Sequence, residues 1–384
     1  MIAVIADDLT GAAEIGGIGL QYDLKVEIST SVNLNTQADL LIINTDARSK
    51  SETEAVSTVK AVCHELKKLR PSFIYKKIDS ILRGHVLAEI TAELMELALP
   101  AALIVPANPA LNRTLVNRTY FVNQIPVHQT AFQHDPEFPI VHADVVRMLR
   151  AEEEQITVLK PHEALLDAGI MVGEVESNAD LTAWAKQVNY TMLLAGASGF
   201  FTALLSSHKE YSKSTQSPVR FAFGTMLHVS GTTYQENVEQ IKNIHQKGGP
   251  VSYIPVNAWQ IASAETSLID NWCEHVALLL EQNHKAIIAI DQDNVASSAL
   301  SATSLRKLTA LVVKKILQLT QVDDLFIEGG STAAAILDDL EITTLYPLDE
   351  LGPGIIRNKA NYPQELNITL KPGSYRWPAG LWEV

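Results

Sequence analysis

The chain reads as an α/β protein of two domains, each with a largely parallel sheet flanked by helices. Three observations lead there. Its 384 residues exceed what one ordinary hydrophobic core organises. Short β-branched runs alternate with helical patterns in both halves, the signature of parallel strands joined by crossover helices. Between the halves, residues 206–218 turn polar, Ser-Ser-His-Lys-Glu-Tyr-Ser-Lys-Ser-Thr-Gln-Ser-Pro, and read as a linker. The domains are accordingly set at 1–210 and 211–384.

In the first half, strands are predicted at 1–6, 25–29, 40–45, 73–77, 103–106, 156–160, 170–175 and 191–195. A helix is predicted over Glu52–Leu69. Ser49-Lys50-Ser51-Glu52 at its start resembles a capping box, and Val56, Val59, Val62, Cys63, Leu66 and Leu69 supply an apolar face. A second helix follows Gly84, over Val86–Leu97. Beyond the linker, strands are predicted at 221–229, 251–255, 286–291 and 325–328. Helices are predicted at 234–246, 269–282, 304–319 and 332–340.

Composition narrows the function. Lys+Arg 30 against Asp+Glu 44 leaves a net charge of −14, which disfavours nucleic acid and anionic membranes as partners. An anionic small molecule would need a local basic cluster working against that field. Hydrophobic residues make up 47%, and the longest apolar run, 97–107, is broken by Pro100 and Pro106 and too short for a bilayer. Two distant cysteines, Cys63 and Cys273, suit a reducing compartment, and no secretory leader is evident, so a cytoplasmic location is expected.

Chemistry concentrates at the predicted strand ends. Lys76-Lys77-Ile78-Asp79-Ser80-Ile81-Leu82-Arg83-Gly84 releases four charged groups just after a strand, a poor way to fill a core and a good way to grip an oxygen-rich anion. Alternation along the strand sends Lys76 and Lys77 to opposite faces, so part of this block is structural. The first strand runs into Asp7-Asp8-Leu9-Thr10-Gly11, where one Asp is free for a hydroxyl or a metal even if the other merely caps a helix. Asn44-Thr45-Asp46-Ala47-Arg48 brings an Arg fork suited to a carboxylate. In the second half, Glu328-Gly329-Gly330-Ser331-Thr332 and Ser230-Gly231 place glycines and hydroxyls where a helix N-terminus favours phosphate. Gly352-Pro353-Gly354 and Lys371-Pro372-Gly373 fit the same purpose. Neither the Walker pattern nor the dinucleotide fingerprint occurs in proper context.

Taken in order, these motifs closely resemble the four-carbon acid sugar kinase family, the threonate, erythronate and 3-oxotetronate kinases. Val105-Pro106-Ala107-Asn108-Pro109, Asn112-Arg113-Thr114 and Asp135-Pro136 continue the pattern. The resemblance implies an N-terminal sugar-acid domain, a C-terminal nucleotide domain, an active site in the cleft between them, and phosphorylation of the acid's terminal hydroxyl with ATP and Mg²⁺. Carried over by motif, Asp7, Asp8, Arg48, Lys76, Lys77, Ile78, Asp79 and Arg83 are expected to line the acid site, with Asp8 and then Asp79 as the catalytic candidates. Ser230, Gly231, Gly329, Gly330, Ser331, Thr332, Gly354 and Gly373 are expected to hold ATP. The chain departs from the family where Ser331 replaces an Asp, Ile81 a Thr, Asn112 a Gly, and Tyr375-Arg376 an aromatic-Gly ending. Two rival readings are a non-catalytic sugar-acid sensor, suggested by Ser331, and a nicotinamide-dependent sugar-acid dehydrogenase, disfavoured by the missing fingerprint. The sequence identifies no metal ligands and is compatible with a homo-oligomer.

Overall fold

The computed structural model describes residues 1–135, 137–208, 211–213, 222–231, 234–255, 266–291, 301–373, 375–378 and 381. Most of the predicted linker, the first residue of the strand expected at 221–229, and Pro136 of the Asp135-Pro136 motif lie outside the described residues. The chain divides into two compact units, Met1–Thr215 and Gln216–Val384.

The first unit runs β1 Ile2–Ala6, α1 Leu9–Gln21, β2 Val26–Ser29, β3 Leu40–Asn44, α2 Glu52–Leu69, β4 Ile74–Lys77, α3 Val86–Leu97 and β5 Ala101–Val105. An antiparallel meander follows, β6 Arg113–Val116, β7 Thr119–Val122 and β8 Ile125–Pro126. The unit continues with α4 Val145–Met148, β9 Ile156–Leu159, β10 Gly169–Gly173, α5 Asn178–Gln187, β11 Leu193–Gly196 and α6 Ser198–Ser207. Its parallel strands lie in the order β2-β3-β1-β4-β11-β5-β10-β9. Strands β1 and β3 are buried at every residue, as a sheet covered on both faces requires. The capping box at Ser51 and Glu54 starts α2, whose Val59, Val62, Cys63 and Leu66 pack on Ala3, Ile5, Leu41 and Ile43. The meander was not foreseen, because its strands of two to four residues give too short an alternation to read; nor were the ten-residue helices α5 and α6.

The second unit runs β12 Met226–Ser230, α7 Gln235–Gln246, β13 Val251–Tyr253, α8 Thr266–Asn283, β14 Lys285–Ala289, α9 Ala302–Leu319, β15 Asp324–Glu328 and α10 Gly330–Asp339. It ends with β16 Thr344–Gly352, β17 Ile355–Ala360 and β18 Asn367–Lys371, in the strand order β13-β14-β12-β15-β18-β17-β16. In the last three strands each runs antiparallel to the next, and none was predicted. A register shift beside Pro347 in β16 breaks the alternation that would have revealed the strand. Ile241, Ile244, Val251, Ile287 and Phe326 form a core with Trp377.

The two units share one topological device. The first unit contains the run β2-β3-β1-β4, and the second contains β13-β14-β12-β15. In each, the opening strand sits between the third and fourth, so the progression across the sheet reverses at its far side. Open α/β sheets take ligands outside the carboxyl ends of the strands at such a reversal. Here those ends carry Asp7 and Ile78-Asp79 in one unit, and Gly231 and Gly329 in the other. Among the described residues no helix is long and apolar enough to cross a membrane.

Candidate functional site

In the first unit, register alone aligns the polar residues. Ala6 pairs with Asn44 on one side and Lys77 on the other, so the loops after all three strands open at one level. Asp8 caps α1: its Oδ1 accepts from Gly11 N at 2.9 Å, and its Oδ2 accepts from the Thr10 hydroxyl at 2.6 Å. Arg48 stands on a single 3₁₀ turn, Ala47–Ser49, entered through a left-handed Asp46. Its Nε and Nη2 donate to Asp7 Oδ2 at 3.1 and 2.8 Å, and its Nη1 to Asp8 Oδ2 at 3.2 Å. Gly84, at φ +96°, lies so close to Arg48 that a Cβ there would sit 3.3 Å from Arg48 Cγ.

Asp79 is the anchor of Arg83. Its carboxylate accepts from Arg83 Nε at 3.0 Å, Nη2 at 2.9 Å and the Arg83 backbone at 3.1 Å, while Arg83 Nη1 donates to Asp135 at 2.8 Å. The meander closes over this loop. Tyr120 donates its hydroxyl to the Ser80 carbonyl, Arg113 donates to the Ser80 hydroxyl, and both Arg83 and Arg113 lie against the ring of Phe132.

The three carboxylates differ in proton affinity. Burial pushes Asp7 up to about 6, against the pull of Arg48, and its Oδ1 is buried without a hydrogen-bond partner. For Asp8 burial also acts upward, but Arg48, Lys77 and the Thr10 hydroxyl together hold it below the usual carboxylate range. Asp79 falls far below that range, because Arg83 and Arg48 outweigh its burial. Asp8 is the most exposed of the three, with 18% of its side chain open against 2% for Asp7 and 8% for Asp79.

The two lysines of β4 part as the alternation predicted. Lys77 stays with the site: its Nζ donates to the Ile78 carbonyl at 3.1 Å and lies 3.6 Å from Glu14. Lys76 does not join it. It is fully buried, 2.5 Å from Glu89 and 3.2 Å from Glu93 on α3, and belongs to an internal ion cluster. The Ile78 side chain is also wholly buried, leaving only its backbone to the site.

In the second unit, Ser230 pairs with Glu328, and Glu328 with Lys371, so three loops again open together. Gly329 has φ +100°, and its N–H donates to Lys371 O at 2.9 Å. Gly231 packs so tightly on Thr332 that a Cβ would meet Thr332 Oγ1 at 2.1 Å. Gly330 and Ser331 open α10, Ser331 is exposed, and the first turn carries no acidic residue. This leaves an uncluttered helix N-terminus for an anion. Gly354 turns the β16–β17 hairpin at φ +71°, against the Tyr375 ring.

Beneath these loops lies a network that sequence reasoning missed. Glu328 Oε1 accepts from Lys371 Nζ at 2.6 Å and Asn237 Nδ2 at 2.5 Å, and its Oε2 accepts from Ser230 Oγ at 2.9 Å. Asn237 also donates to Gly373 O at 2.9 Å, tying the last loop to the cluster. Burial acts to raise Glu328, but His228 and Lys371 hold it below the ordinary glutamate value. Among the described residues no group of three or more His, Cys, Asp or Glu is placed to hold a metal ion.

Comparison with known proteins agrees with this division. Residues 2–204 match the family model of a sugar-binding N-terminal domain, and 227–375 that of a nucleotide-binding C-terminal domain. A D-threonate kinase of Salmonella typhimurium is 26% identical over 367 residues, 87% of this chain and 85% of that protein. A D-erythronate kinase of Heliobacterium modesticaldum is 24% identical, covering 92% of this chain and 88% of its own. A 3-oxo-tetronate kinase of Haemophilus influenzae is 22% identical, covering 98% and 97%. The fold recurs in solved structures from Salmonella typhimurium (TM-score 0.78, 19% identity, 98% of this chain and 96% of that one) and Haemophilus influenzae (TM-score 0.73, 20% identity, 98% and 97%).

Proposed function

The chain belongs to the four-carbon acid sugar kinase family, and from that premise we propose that it transfers the γ-phosphoryl group of ATP to the terminal, 4-hydroxyl of a four-carbon sugar acid such as threonate, erythronate or 3-oxotetronate. The observation that carries the reading is the matched pair of reversal crevices. One is lined by ionised carboxylates and cations that suit a polyhydroxy acid; the other is lined by glycines at the N-terminus of α10, which carries no acidic residue in its first turn. The exposed Ser331 therefore favours phosphate binding over the sensor reading.

In this reading Asp8 receives the substrate hydroxyl. It is ionised at neutral pH and its side chain is the most open of the three carboxylates, so it orients the nucleophile, and phosphoryl transfer depends mainly on such positioning. The hydroxyl oxygen bonds to the γ-phosphorus, the bond to the ADP oxygen breaks, and the hydroxyl proton passes to Asp8 and on to solvent. Asp79 is a poor proton acceptor and serves instead to fix Arg83. Arg48 holds Asp7 and Asp8 apart and in place. Lys77, near Glu14, supplies positive charge beside Asp8.

The loops of Ser230-Gly231, Gly329 to Thr332 and Gly373 would cradle the nucleotide phosphates, with Gly354 behind them at Tyr375. The described residues form no metal cage of their own, so Mg²⁺ would come bound to the phosphates, where it neutralises their charge. Two buried free thiols, Cys63 and Cys273, support a cytoplasmic setting. The test is ADP release from ATP and Mg²⁺ against four-carbon sugar acids, with five- and six-carbon acids as controls. Turnover with one four-carbon acid is expected; a preference for a longer acid would overturn the substrate class.

A further inference from the structure

The cations around the first crevice are unequally committed. Arg48 has Nε, Nη1 and Nη2 on Asp7 and Asp8. Arg83 has its fork on Asp79 and its remaining nitrogen on Asp135. Lys76 is enclosed by Glu89 and Glu93, and Lys77 leans on a backbone carbonyl and Glu14. Arg113 alone in this set has no carboxylate within ion-pair distance among the described residues. It donates from Nη1 to the Ser80 hydroxyl and lies 5.9 Å from the centroid of Phe132.

That arrangement is unusual for a stable interior. Phe132 also carries Arg83, at 5.8 Å, so two guanidiniums share one ring. Arg83 is ion-paired with two aspartates; Arg113 has no such pair and acts on Asp79 only from farther off. A half-buried guanidinium that feels Asp79 only from beyond ion-pair distance has room for a closer anionic partner. Its position is nevertheless well defined. Arg113 opens β6 directly after a left-handed Asn112, its backbone N–H donates to Asn108 O at 3.1 Å, and Ser80 is the residue after Asp79. The aromatic ring and the hydroxyl hold the fork, leaving donors for a planar, two-oxygen acceptor.

We propose that Arg113, steadied by Phe132 and Ser80, is the residue that takes the carboxylate of the sugar acid, and so selects acids over uncharged polyols. This rests on the sugar-acid kinase reading above and names the selective contact within it. Arg48, the sequence-based candidate for that contact, is instead the brace of the two aspartates.

The experiment compares the natural chain with Arg113→Met and Arg113→Lys, using D-threonate, D-erythronate and the uncharged four-carbon polyols threitol and erythritol as acceptors. Direct titration of each acid accompanies the kinetics. Expected for Arg113→Met is a loss of at least about 30-fold in kcat/KM and in affinity for the acid. Polyol turnover and the KM for ATP should be unchanged, and Arg113→Lys should recover part of the loss. An equal fall for acid and polyol would make Arg113 a structural tie to Ser80 and overturn the proposal. So would an unaltered acid kcat/KM in an otherwise active enzyme, which leaves the kinase reading standing. If the natural chain neither binds nor phosphorylates a four-carbon acid, the kinase reading fails and this proposal with it.

Discussion

Replacing Lys76 by methionine keeps the reach of the side chain and removes its charge, leaving Glu89 and Glu93 facing one another in an interior closed to water. Lys76 is 0% exposed and its nitrogen is 2.5 and 3.2 Å from the two carboxylates. Removing one partner of such a buried cluster costs about 3–5 kcal/mol. At about 2–4 °C per kcal/mol for a unit of this size, the melting temperature of the first unit should fall by roughly 6–20 °C. The effect should depend on pH. Burial pushes Glu93 up to about 7, against the pull of Lys76, from an ordinary 4.5. The folded chain therefore binds that proton more tightly than the unfolded one, and stability falls as pH rises from about 4.5 to 7. Without Lys76 the window extends upward, so the variant should lose least at pH 5 and most at pH 8. Thermal unfolding across that range measures the loss, and titration with a sugar acid below the lowered melting point measures binding. Unaltered melting with abolished acid binding would refute the reasoning and return Lys76 to the substrate.

Three other outcomes are expected. Asp8→Asn keeps the cap on α1, so stability should change by less than about 1 kcal/mol, while kcat falls about 100-fold or more and ATP affinity, read by titration, is unchanged. Gly231→Ala drives a Cβ onto the buried, β-branched Thr332; an overpacking strain of about 1–3 kcal/mol should weaken ATP binding by roughly 5–150-fold, with acid binding intact. Asp7, pushed up to about 6 by burial, holds its proton more tightly folded than unfolded, so its share of stability is lost as pH rises from 3.8 to about 6. Activity should rise over the upper part of that window as the pair with Arg48 forms, and a pH–rate profile of Asp7→Asn should lack that acid limb.

The placement of chemistry at strand ends was legible because it follows from local pattern. A run such as Ile2-Ala3-Val4-Ile5-Ala6 ends where Asp7 begins, and alternation correctly divided Lys76 from Lys77. The destination of Lys76 was not read, although a signal existed. Val86, Glu89, Ile90 and Glu93 share one face of α3, so two glutamates stood on an apolar stripe awaiting a cation. Arg113 was seen only as part of a motif. Its importance lies in what its neighbours are bound to, which depends on contacts across the meander. Asn237 under Glu328 is of the same kind: a helical asparagine in sequence, a tie between loops in space. The tip Gly352-Pro353-Gly354 looked like a phosphate loop because a hairpin turn and an anion cradle draw on the same residues.

The position of the opening strand between the third and fourth has a consequence for how the chain is made. β1 leaves the ribosome before both its neighbours, Leu40–Asn44 and Ile74–Lys77, so one of its edges stays unpaired until Lys77 has emerged. The second unit repeats the wait, with one edge of Met226–Ser230 unpaired until Glu328 is synthesised. Partners so far apart in sequence make for slow closure and an interval in which a bare, sticky edge is open to other nascent chains. Each half thus passes through its own vulnerable period during synthesis, and chains stopped short of Lys77 or Glu328 should be the ones that chaperones retain.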